Sequence, residues 1–174
     1  MKPLIQTSSK LPKILGQVLA AFNVFLSRLH LLPANISPLG SYGFFGNPWL
    51  YVASIIIFDR FVGGLYSGNW FTYLGFMMYP LLGKFAKNKV KKQMLLLPLA
   101  SFLFFLISNA GVWWYWYDRT PADLLLCYSL AVPFYARTLL GDMVFGYGFI
   151  ALRTYQIQIR TILQTLKKNS VLPA

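Results

Sequence analysis

Long apolar runs, separated by short polar or proline-bearing breaks, fill almost the whole chain: Ile14–Leu32, Leu39–Gly46, Pro48–Tyr66, Trp70–Phe85, Met94–Trp116 and Leu124–Leu152. A helix needs about 20 predominantly apolar residues to cross a bilayer, and most of these runs approach or exceed that length. The pattern predicts an all-α membrane protein, a six-helix transmembrane bundle whose second crossing is short. Residues 1–12 are expected to form a cytoplasmic tail, 13–153 a single transmembrane helical domain, and 154–174 a basic cytoplasmic tail.

The breaks fix the segments. Pro33 and Pro38 bracket a turn through which no helix runs. At about 1.5 Å per residue, Leu39–Gly46 cannot cross some 30 Å of hydrocarbon alone. It crosses only if the preceding turn sits within the protein; otherwise it is re-entrant. Gly46-Asn47-Pro48 ends it, and Ser67–Asn69 turns the chain again. The final run, Leu124–Leu152, is too long for one crossing. Pro133 is expected to divide it into a short outer or re-entrant segment, Leu124–Val132, and a last crossing, Phe134–Arg153. Counting Leu39–Gly46 as a crossing brings both basic ends to one side, so six crossings are expected rather than five.

Charge orients this bundle. Cations cluster in three places: Lys2, Lys10 and Lys13; the loop with Lys84, Lys87, Lys89, Lys91 and Lys92; and Arg153, Arg160, Lys167 and Lys168. Under the positive-inside rule these mark the cytoplasmic face, where anionic lipid headgroups attract them further. Tyr117–Asp123 then lies outside, next to the aromatic belt Trp113–Tyr117. Only 11% of residues are charged, against about 25% in a soluble domain, and 57% are hydrophobic. The net charge of +12 is grouped between apolar segments, so a lipid bilayer is the expected partner and nucleic acid is not.

Candidate chemistry is sparse. Cys127 is the one cysteine and His30 the one histidine, which leaves no intramolecular disulfide, metal cluster or nucleophile–base pair. No enzyme activity, metal or cofactor is expected. Ile14–Leu26 could pass as the apolar core of a signal peptide, but no small-x-small cleavage site follows, so it is expected to stay in the mature protein. The informative residues are polar groups inside the apolar runs. Asp59, Asn109, Arg137 and Asp142 are expected in the outer half of the bilayer, with Trp113 one turn beyond Asn109. A charge at membrane depth costs about 2.5–3.5 kcal/mol on insertion scales, so it faces the interior and takes a partner. Asp59 and Asp142 are expected to pair with Arg60 and Arg137. On one reading these side chains, with Trp113, line a substrate site; on the other they are helix-to-helix glue. In the first run Gly16, Ala20 and Asn23, followed by Ser27, share one face. That face serves either internal packing or docking of another membrane subunit.

Four stretches carry a resemblance: NISPLGSYGFFG at 35–46, IIIFDRFVG at 55–63, SFLFFLISNAGVWW at 101–114 and CYSLAVPFYARTLLGDMVF at 127–145. Together they resemble an uncharacterised bacterial integral-membrane family, which is similar in turn to the substrate-binding S components of energy-coupling factor transporters. The resemblance implies a multi-pass protein of the bacterial inner membrane, both termini cytoplasmic, binding a vitamin-like or other small molecule. It implies partners as well, a transmembrane T component and paired ABC ATPases, with the Gly16/Ala20 face as their docking surface. The alternative is a structural or assembly membrane protein with no transported solute.

Overall fold

The computed structural model describes residues 36–87 and 89–169. The expected tail at 1–12 and first helix Ile14–Leu32, with Gly16, Ala20 and Asn23, lie outside the described residues. Every regular element within them is helical: α1 Leu39–Phe45, α2 Pro48–Phe58, α3 Asn69–Ala86, α4 Val90–Trp116 and α5 Pro121–Asn169. Five helices are seen among the described residues, not a complete six-helix bundle.

Local chemistry explains the helix starts. Asn47 caps α2, its Oδ1 accepting the backbone N–H groups of Trp49 at 2.9 Å and Leu50 at 3.3 Å, with Pro48 in the first turn where no donor is needed. Thr120 and Asp123 begin α5 reciprocally. The Asp123 N–H donates to the Thr120 hydroxyl at 3.1 Å, and that hydroxyl donates to the Asp123 carboxylate at 2.7 Å. The α2 helix passes into a π-helical turn, Asp59–Gly63, before a loop in which Gly64 and Gly68 take positive φ.

Helices α3, α4 and α5 form an antiparallel meander whose register is fixed by aromatic contacts. Phe76 stacks on Phe104 with ring centroids 4.6 Å apart, and Phe105 stacks on Tyr135 at 4.6 Å. Near the Tyr117–Thr120 turn, the Trp70 indole donates to the Tyr115 hydroxyl at 3.3 Å. The lysine-rich turn between α3 and α4 therefore lies at the opposite end from the α4–α5 turn. The short α1 is wedged among α3, α4 and α5, with Leu39, Gly40, Ser41, Gly43 and Phe44 buried. A seven-residue helix spans only about 10 Å, so its ends need the surrounding protein to shield them.

Pro133 does not divide the last run. The α5 helix passes straight through it from Pro121 to Asn169, so the expected outer segment Leu124–Val132 and last crossing Phe134–Arg153 are one element. Proline inside a helix costs about 3 kcal/mol. A non-helical break would expose several backbone groups at a surface where Leu130, Val132 and Phe134 are all exposed. In apolar surroundings each unsatisfied group costs several kcal/mol, so keeping the helix is the cheaper choice. The stretch expected as a basic tail from residue 154 is helical through Asn169.

Pro98 likewise sits inside a continuous α4, and here the repair of the lost hydrogen bond is visible. Its missing N–H would have bonded the Met94 carbonyl, which instead accepts the Tyr147 hydroxyl of α5 at 2.9 Å. The outer surface is inverted relative to a soluble protein: Trp49, Phe61, Leu95 and Leu125 are each more than 70% exposed. Helices α4 and α5 are long and apolar enough to cross a membrane.

Candidate polar site within the bundle

Asp142 is the most deeply placed charged residue among those described, 1% exposed in the middle of α5. Its Oδ2 accepts the Tyr79 hydroxyl of α3 at 2.5 Å, and its backbone carbonyl accepts the Ser41 hydroxyl of α1 at 2.9 Å. Ser101 of α4, fully buried, places its hydroxyl beside this pair but completes no hydrogen bond. Four helices thus meet at one carboxylate.

Glycine makes the meeting possible. A Cβ on Gly40 would overlap both the Asp142 carboxylate and the Tyr79 ring. A Cβ on Gly141 would lie 2.9 Å from the Ser37 nitrogen, so the chain leading into α1 rests directly on α5. Two stretches distant in sequence, Ile36-Ser37-Pro38 and Gly141-Asp142, are joined in space by this backbone-to-backbone approach.

The five expected site residues do not converge at one depth. Asp142 is level with Ser101, near the middle of α4. Asn109 is eight residues further along α4, about 12 Å away, and Trp113 another 6 Å or so. The Asn109 side-chain amide donates to the Phe105 carbonyl of its own helix at 2.8 Å, and the Trp113 indole donates to the Thr120 carbonyl at 3.3 Å. Arg137 is exposed, one and a half turns from Asp142, and Arg60 is exposed too. The expected pairing of arginines with Asp142 is not formed; a tyrosine hydroxyl takes that place. A hydroxyl donor stabilises a carboxylate without carrying a second long, strongly hydrated charge into the core.

Asp59 belongs to a separate, upper layer. It is 6% exposed in the π-helical turn and faces the Tyr73 hydroxyl, six residues and about 9 Å along α3 from Tyr79. Below it, α2 and α3 stand apart and leave an open apolar groove of about 370 Å³. Val52, Ile55, Trp70, Tyr73, Phe76 and Met77 line most of it; Tyr73 also faces Asp59, which does not itself line the groove. Sequence reasoning missed Tyr73, Tyr79, Ser41 and Ser101. The spacing of Gly40 and Gly43, three apart on one face, was the available sign that another element approaches α1 closely.

No curated protein was found to match this chain. No solved structure matches it either. A family model does, over residues 8–161, which takes in every helix described here except the last few residues of α5. The chain belongs to that family, DUF6580, a family of unknown function.

Proposed function

We propose that this is an integral membrane small-solute-binding protein, the S-component-like subunit of an energy-coupling factor importer in a bacterial inner membrane. The observation that carries the reading is the apolar α2–α3 groove, one of whose walls, Tyr73, also faces Asp59. Its volume of about 370 Å³ suits a small molecule. The ligand class that fits is predominantly apolar, with its body against Val52, Ile55 and Phe76 and its one polar end beside Tyr73. Import would draw its energy from partner ATPases and use several crossings, with both basic ends in the cytoplasm.

Native mass spectrometry of protein extracted from its own membranes tests this. A co-purifying small molecule is expected, lost when Val52→Trp fills the groove and retained in Asp142→Asn. A solute-free spectrum, together with no T-like subunit or ATPase pair in pull-downs, would defeat the proposal.

A second reading has its own support. The Asp142–Tyr79–Ser41 cluster is closed upon itself, with Gly40 leaving no room for even a methyl group. That is the behaviour of a structural knot in a scaffold or assembly protein. The two readings part at the groove: a scaffold tolerates Val52→Trp in a growth or uptake assay, whereas a solute carrier loses activity.

A further inference from the structure

Helix α4 last meets α5 where Val90 and Gln93 face Ile150, Arg153, Thr154 and Ile157. Beyond Ile157, α5 runs on for a further twelve residues, about 18 Å, on the side of the lysine-rich turn, with no neighbouring helix among the described residues. Apart from Ile157 and Leu163, its exposed apolar residues from Leu152 onward fall on one stripe. Leu152, Tyr155, Ile159, Ile162 and Leu166 follow one another at intervals of three, four, three and four, and they are 39–65% exposed. This is the a/d spacing of a coiled coil kept over two heptads, with Leu152, Ile159 and Leu166 at a and Tyr155 and Ile162 at d.

We infer that this seam pairs with the same seam of a second copy, forming a parallel two-stranded coiled coil at the end of α5. Three features select that occupant. The flanking e and g positions are uncharged, with Gln156 and Leu163 on one side and Gln158 and Thr165 on the other, so no like charges face each other directly across the seam. Arg153 and Arg160 fall at the b position, off the seam, where they neither oppose a second copy nor recruit an acidic helix into the groove. Finally, α5 continues unbroken from an apolar span. A bilayer therefore holds two copies parallel, with their seams at equal height, and keeps this segment directed away from the lipid surface.

Cysteine cross-linking of the full-length protein in phosphatidylcholine bilayers tests the inference. The native Cys127 is buried and can stay in place. Single substitutions Ile159→Cys and Ile162→Cys are expected to shift the protein from monomer to disulfide-linked dimer under mild oxidation. Gln164→Cys, on the opposite face, and Thr161→Cys should remain monomeric. Equal cross-linking at all four positions, or none at any, overturns the proposal. So does an Ile159→Cys cross-link to a different protein in native membranes. An environment-sensitive label at position 159 that stays buried at one protein per vesicle, when phosphatidylglycerol is added, would make anionic lipid the occupant and also overturn it. None of these outcomes depends on a solute, so the coiled coil can fail while the binding reading stands, and the reverse.

Discussion

At the scale of single residues, the Asp142 cluster makes the sharpest demand on chemistry. Tyr79→Phe removes the hydroxyl that binds a buried carboxylate, and hydrogen bonds to charged groups contribute about 1.5–3 kcal/mol. A loss of stability of that order is expected in thermal unfolding of the detergent-purified protein. Asp142→Asn should cost less than Tyr79→Phe, because the amide keeps an acceptor for the Tyr79 hydroxyl and carries no charge to be left unpaired. The reverse order would show that the carboxylate has another donor. Gly40→Ala should destabilise by about 1–3 kcal/mol through overlap with Asp142 and Tyr79, as overpacked cores do. Little of this was legible in the sequence. Asp142 stood out as an acid in an apolar run, but Ser41 lies 101 residues away, and Tyr79 and Ser101 look like ordinary members of apolar helices. Arginine, the obvious ion-pair partner, was nearby in sequence and proved to be exposed. Sequence distance and charge sign say nothing about which face of a helix a neighbour occupies.

At the scale of elements, the hydrophobic pattern was a good guide to where helices lie. Trp70–Phe85 was expected and Asn69–Ala86 is found; Met94–Trp116 was expected and Val90–Trp116 is found. Glycine and polar turns separated helices where anticipated, and Asn47 and Thr120 cap the starts of the helices that follow them. Proline was the misleading signal. It broke the chain before α1 and α2 but not within α3, α4 or α5, where Pro80, Pro98 and Pro133 sit inside helices. What separates the cases is whether the freed carbonyl finds another donor and whether the alternative would expose more backbone, and neither can be read from one strand of text. The Pro98–Tyr147 relation yields a double-mutant prediction. Tyr147→Phe should destabilise by about 1 kcal/mol in the native background. It should cost clearly less beside Pro98→Ala, where the restored N–H supplies the Met94 carbonyl; additive effects in chemical or thermal unfolding would refute the repair. Asn47→Ala should cost about 1 kcal/mol through loss of the α2 cap, read by the same measurement.

At the scale of the whole molecule, the meander places the α3–α4 turn and the α4–α5 turn at opposite ends. Cysteines introduced at Lys87 and Arg119 should therefore react with a membrane-impermeant thiol reagent from opposite sides of sealed vesicles. Labelling of both from one side would remove the transmembrane orientation on which the import reading depends. Helix α5 ties these ends together. It holds the buried Asp142 near one point of a rod of 49 residues, and 27 of them lie between that point and Asn169. Those 27 residues make an arm of about 40 Å. A tilt of about 10° around Asp142 would carry its tip through roughly 7 Å, so a small rearrangement at one carboxylate is magnified by leverage at the far end of the protein.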